Sequence, residues 1–115
     1  MKLQKVTAII RNEMLESVKA KLKGLGVPHI TVDFVSGYEN PSELFEMPNL
    51  LTYTRIEILT EESATNKIIK CIKVNAYVGT YDDGVITVSS VDEVIKVNAG
   101  GKDIVNDLEI RGNGR

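Results

Sequence analysis

One pattern of apolar residues occurs twice along this chain, and it restricts the fold more than any other feature. In the first half, residues 3–10 (LQKVTAII) are β-branched and apolar, as a strand requires. They give way at Arg11-Asn12 to a segment in which Leu15, Val18, Leu22 and Leu25 recur at three- and four-residue steps, with Glu13, Glu16, Lys19 and Lys23 elsewhere on the wheel. Asn12 is expected to cap this amphipathic helix, and Gly24 and Gly26 to end it, with Pro28 barring its continuation. A second strand follows in HITVDFV, where Ile30, Val32 and Phe34 alternate with Thr31, Asp33 and Val35. The second half repeats this order. YTRIEILT reads as a strand, and Thr60 is expected to cap a helix in which Ala64, Ile68 and Ile72 keep four-residue steps, with Cys71 beside them and Lys67, Lys70 and Lys73 on a solvated side. The glycine-containing turn VGTYDDG then leads to the strand VITV.

Strand, helix, strand, repeated once, is the split βαβ arrangement. It predicts an α+β, ferredoxin-like βαββαβ sandwich: one antiparallel sheet with both helices on one face, because each crossover is right-handed. The reading places one domain over residues 1–100, a long connection at about 38–52, and a partly disordered tail over residues 101–115. A further extended piece, EVIKVN, precedes the tail. Within the long connection, Asn40 as cap, Pro41 at the first helical position, Glu43 at the third, then Leu44, Phe45 and Met47 before Pro48 predict a short helix. The other sheet face needs cover, since both sides of the first two strands carry apolar residues such as Val6, Ala8, Ile9, Ile10 and Val35. Self-association is the simplest source of that cover.

Several function classes are disfavoured. The longest apolar run falls short of the roughly 18 residues that span a bilayer, and MKLQKVTAIIRNE has too short an apolar stretch for a secretory signal, so a cytoplasmic protein is expected. A single cysteine, Cys71, rules out an internal disulfide, and with His29 as the only histidine no metal site is expected. Cys71 itself reads as core, because an apolar helix face raises a thiol's pKa and leaves it inert. A net charge of −2, with acids and bases mixed along the chain, lacks the footprint of a nucleic-acid binder, and the strands lack the aromatic spacing of an RNA-recognition sheet. RNEM after the first strand has no glycine, unlike an acylphosphatase phosphate loop. No catalytic residues are expected.

The stretch AIIRNEMLESVKAKLKGLGVPHITVDFVSGY resembles the opening of proteins of the PII signal-transduction family: an apolar strand, a basic residue, a helix of this leucine and valine spacing, and a T-V strand ending in glycine-aromatic. A second stretch, IEILTEES with its helix and then YDDGVITVSSVDEVIKVNAG, is similar to that family's glycine-aspartate-glycine loop, fourth strand and following basic strand. The resemblance implies a homotrimer built through the sheets, with an adenine nucleotide in each cleft between subunits and no tightly bound cofactor. By position, adenine would be held by Ile9, Thr31, Gly37 and the strand around Leu59. The phosphates would sit on the turn Gly79-Thr80-Tyr81-Asp82-Asp83-Gly84, whose successive N–H groups can form an anion-holding nest. Gly37, Tyr38 and Glu39 lie between cleft and loop, so the nucleotide would bias residues 37–52 and through them a partner, an enzyme or a membrane transporter.

The departures from the family concern the ligand. Members that hold ATP carry a lysine directly after the D-G pair and two arginines on the last strand, whereas this chain has Val85, Lys96 and Asn98. If each charge-assisted hydrogen bond is worth about 1.5–3 kcal/mol, losing two costs on the order of a hundred- to ten-thousandfold in affinity for a triphosphate. AMP or ADP is therefore expected over ATP, with cyclic AMP as a further mononucleotide. The family's 2-oxoglutarate-binding glutamine falls on Pro41, which has no side chain able to coordinate. The resemblance extends to some short-loop relatives that are tied to inorganic-carbon handling and bicarbonate. The rival expectation is a ferredoxin-like trimeric scaffold, similar to metal-tolerance proteins, that binds no nucleotide.

Overall fold

The computed structural model describes residues 2–37, 51–79 and 84–97. The long connection with its expected short helix, Thr80 to Asp83 of the glycine-containing turn, and the tail lie outside these residues. Along the chain run β1 (Leu3–Ile10), a 3-10 turn (Asn12–Met14), α1 (Leu15–Leu25), β2 (Thr31–Gly37), β3 (Leu51–Glu61), α2 (Glu62–Ala76) and β4 (Gly84–Val91). The four strands form one sheet in the order β2-β3-β1-β4 with every neighbouring pair antiparallel. This is the expected ferredoxin-like α+β fold. EVIKVN makes no sheet pairing among the described residues.

Alternation along the strands decides which residues meet the helices. On β1, Val6, Ala8 and Ile10 are buried, and the register places them beside Ile58, Ile56 and Thr54 of β3. Val18 and Leu22 of α1 and Ile68, Ile72 and Ala76 of α2 close over this face to complete one core. The leucine and valine steps read from the sequence are therefore the faces that pack. Lys67, Lys70 and Lys73 are exposed as expected.

The helix ends show where local chemistry was read correctly and where it was not. Gly26, at φ 98°, ends α1: its N–H bonds the Lys23 carbonyl at 3.0 Å and that of Val27 bonds Leu22 at 3.1 Å, the paired bonds of a Schellman motif. Gly24 lies inside the helix instead of ending it. Neither expected N-cap forms. Asn12 sits within the 3-10 turn, and its side chain is used elsewhere. Thr60 is the last inward-facing strand residue, 1% exposed, because β3 runs directly into α2. The start of α2 is tied to β1 instead: Glu62 N–H donates to the Lys2 carbonyl at 2.9 Å, and the Thr65 hydroxyl donates to Gln4 Oε1 at 2.5 Å.

Two stability measurements follow, both by chemical denaturation at fixed protein concentration. Ile56→Ala and Ile68→Ala, at sites that are 0% exposed, should each cost about 2–5 kcal/mol, while Lys70→Ala should stay within about 0.5 kcal/mol of wild type. Thr60→Val should be neutral or stabilising by up to about 1 kcal/mol, since the buried Thr60 hydroxyl has no hydrogen-bond partner among the described residues and the valine removes an unsatisfied polar group. A loss above 1 kcal/mol would show that the hydroxyl is bonded.

Candidate functional site

The helix-free face of the sheet is built by the alternate residues of each strand. The register aligns them in rows: Asp33, Arg55, Ile9 and Val85 in one, Thr31, Glu57, Thr7 and Thr87 in the next, then Leu59, Lys5 and Ser89. Of the apolar residues in the first two strands, Val6, Ala8 and Ile10 thus belong to the core, and Ile9 and Val35 to this face. The charges of its central rows are paired. Arg55 grips Asp33 with two parallel hydrogen bonds, Nε to Oδ1 at 3.0 Å and a terminal nitrogen to Oδ2 at 2.6 Å, and Lys5 lies 3.9 Å from Glu57. The hydrogen bond from Arg55 holds the Asp33 carboxyl below its ordinary range, and Asp33 in turn raises the guanidinium. Sequence reading missed this pair because it depends on strand register, although the alternation of YTRIEILT does place Arg55 away from the core.

The strand side chains expected in the nucleotide site, those of Ile9, Thr31, Leu59 and Val85, fall on this face, but within one chain they form two groups. Ile9 and Val85 are direct cross-strand neighbours, and Gly84 precedes Val85 at the strand's start. Val85 is 47% exposed, so the pair presents an apolar, uncharged wall. Gly37 ends β2 at the same end of the sheet, opposite Leu51. Thr31 and Leu59 lie one and two rows away, about 7 and 14 Å along the strands. Gly79 follows α2, exposed and at φ 84°, and Lys96 is exposed beyond β4. Tyr38, Glu39 and Asp83 lie outside the described residues.

Gly84 has a reason to be glycine. Its φ is 135°, and a Cβ there would come within 2.2 Å of the Ile9 carbonyl oxygen, a contact that no side chain tolerates. The strand can therefore rise from the turn directly against the Ile9 backbone only without a side chain. Asn12, misread as a cap, belongs to this end too. Its amide nitrogen lies 3.1 Å from Thr52 Oγ1 and 3.4 Å from the Thr52 carbonyl, and its oxygen accepts from the Thr54 hydroxyl at 2.8 Å.

Among the described residues no three His, Cys, Asp or Glu side chains are grouped to hold a metal. Burial pushes the Cys71 thiol up, and Cys71 packs against the core as read from the sequence. No helix of the described residues is long and apolar enough to cross a membrane.

The family model described as nitrogen regulatory protein P-II matches residues 3–101. The chain is 31% identical to the nitrogen regulatory protein P-II of Azospirillum brasilense, over 87% of this chain and 96% of that one. It is 32% identical to that of Synechocystis sp., over 88% and 96%. Among solved structures, Arabidopsis thaliana PII bound to citrate superposes with a TM-score of 0.75 at 29% identity, covering 88% of this chain and 87% of the other.

Gly84→Ala should destabilise the protein by more than about 1 kcal/mol in thermal or chemical unfolding, since alanine must adopt a positive φ and displace the Ile9 backbone. Asp33 should titrate, by carboxyl carbon NMR, below its ordinary value of 3.8, and return to it in Arg55→Gln. Because its folded pKa is lowered, the pair's stabilisation is complete above the unfolded pKa and lost as pH falls through the folded one. The acid limb of a stability profile should be shallower in Asp33→Asn.

Proposed function

The chain belongs to the nitrogen regulatory protein P-II family, whose members are non-enzymatic signal transducers, and we propose that it reports on a mononucleotide or diphosphate of adenosine, AMP or ADP, in preference to ATP. The family binds adenine nucleotides and works as trimers, and here three copies would meet through their helix-free faces. Ile9, Gly37, Gly84 and Val85 of one subunit would then share a cleft with Thr31 and Leu59 of the next, which accounts for their separation within a single chain. Tyr38 and Glu39 at the root of the long connection, and Gly79 and Asp83 of the turn, would complete the site.

The uncharged wall that Ile9 and Val85 form beside Gly84 carries this reading. Where the family's ATP binders place a lysine after the D-G pair, this chain offers an apolar side chain that favours an adenosine surface and gives a third phosphate no partner. Lys96 is the remaining cation of the three, enough for a shorter phosphate tail. Acting in the cytoplasm, the occupied cleft would bias residues 37–52 and so the activity of a partner enzyme or transporter, to the extent that the nucleotide contacts the two loop states unequally.

Competitive calorimetry with AMP, ADP, ATP and cyclic AMP tests the ligand. AMP or ADP should bind at least about tenfold more tightly than ATP, the equivalent of one lost charge-assisted bond. ATP tenfold tighter than both would overturn the preference. Light scattering should give the mass of three chains, and a lone subunit would remove the cleft itself. Val85→Lys should restore ATP affinity by about tenfold or more.

A further inference from the structure

β1 stops at Ile10, paired with Thr54, while β3 continues three residues further, back to Leu51. On the side that β1 has vacated, the backbone of β3 would have no ladder partner. The Asn12 side chain takes that place. Its amide nitrogen meets both the hydroxyl and the carbonyl of Thr52, and its oxygen accepts from Thr54, a residue 0% exposed. The assignment is fixed by chemistry, because the Thr52 carbonyl can only accept and so must face the nitrogen. One end of this clip is three residues from Ile9, with Arg11 and the strand end between them. The other end is the first part of β3, where the connection from Gly37 re-enters the sheet.

We propose that Asn12 is a positioning residue that couples the nucleotide cleft to the root of the long connection. A ligand that presses on Ile9 moves the end of β1, and Asn12 transmits the displacement to Thr52 through bonds that bridge 40 positions of sequence. Thr54, locked in the core, is the pivot. The coupling half of this inference rests on the nucleotide reading above; the holding of Thr52 does not.

Amide hydrogen exchange at Thr52 and Tyr53, read by NMR against Ile56 and Ile58, tests both halves. Without ligand, Asn12→Ala should speed exchange at Thr52 and Tyr53 by about three- to tenfold and leave Ile56 and Ile58 unchanged, because this end of β3, no longer held through the Thr52 carbonyl and hydroxyl, opens more often. Asn12→Asp, which can accept from the Thr54 and Thr52 hydroxyls but cannot donate to the Thr52 carbonyl, should fall between wild type and the alanine variant. In the wild type, saturating AMP or ADP should change exchange at Thr52 and Tyr53 by at least about fivefold. In Asn12→Ala that change should vanish while nucleotide affinity stays within about threefold of wild type. A purely structural role would lower affinity and response together. Equal exchange in the ligand-free wild type and variant would overturn the inference, as would a nucleotide response that survives in Asn12→Ala or is missing from a wild type that binds. If neither AMP nor ADP binds the wild type, the nucleotide reading and the coupling fall together, and the ligand-free comparison alone decides whether Asn12 holds Thr52.

Discussion

The pairing of β1 with β3 on one side and β4 on the other is the constraint from which the remaining structure follows. A central strand has no free edge, so its residues are committed to two faces in strict alternation. Val6, Ala8 and Ile10 are given to the helices, and Leu3, Lys5, Thr7 and Ile9 to the opposite side. A shift of one residue would exchange these sets, placing Lys5 and Thr7 in the core, and that is why the register is well specified. The core and the proposed binding face thus lie on different sides of the same strand, and neighbours as close as Ile9 and Ile10 belong to opposite ones.

At one end of the sheet three departures from regular geometry coincide. β1 ends early at Ile10, β4 begins on a glycine pressed against the Ile9 backbone, and β2 ends at Gly37 opposite Leu51. Regular strands would carry a full hydrogen-bond ladder through this region. Instead the backbone approaches closely at Gly84, and a side-chain amide substitutes for the ladder at Thr52. The frame itself is shared with a plant PII structure, as a TM-score of 0.75 indicates.

What could be read from the sequence was the part controlled by local periodicity. The steps Leu15, Val18, Leu22 and Leu25 and the β-branched run VTAII define elements by themselves, and Gly26 closes its helix with a bond from its own N–H to the third residue back and one from Val27 to the fifth. Asn12 and Thr60 have the chemistry of an N-cap, and in both the tertiary environment prevailed, through polar partners for Asn12 and through burial in the core for Thr60. Asn12 found Thr52 and Thr54 at 40 and 42 positions' separation. Thr60 was drawn into the core when β3 passed into α2 without a loop. The Arg55–Asp33 pair was invisible for a related reason: only the pairing of β2 with β3 brings those residues opposite each other. The expected site residues came from resemblance, and only the register divides them into two groups along the sheet.

That division bears on how copies of the chain would assemble. The helix-free face mixes apolar residues, Leu3, Ile9, Leu59, Val85 and Val91, with charges that are already satisfied inside one subunit, Arg55 by Asp33 and Lys5 by Glu57. A wholly apolar face would drive association in many orientations and risk uncontrolled aggregation. Charges left unpaired would make burial prohibitive. Paired charges contribute little net attraction when desolvated, since the cost of removing them from water offsets what they gain, but a misaligned partner that disturbs them is penalised. In the proposed trimer the apolar residues would supply the drive and the ion pairs the orientation. The same orientation would bring the Ile9 and Val85 end of one subunit to the Thr31 and Leu59 region of the next, so that forming the assembly and forming the binding cleft become one event.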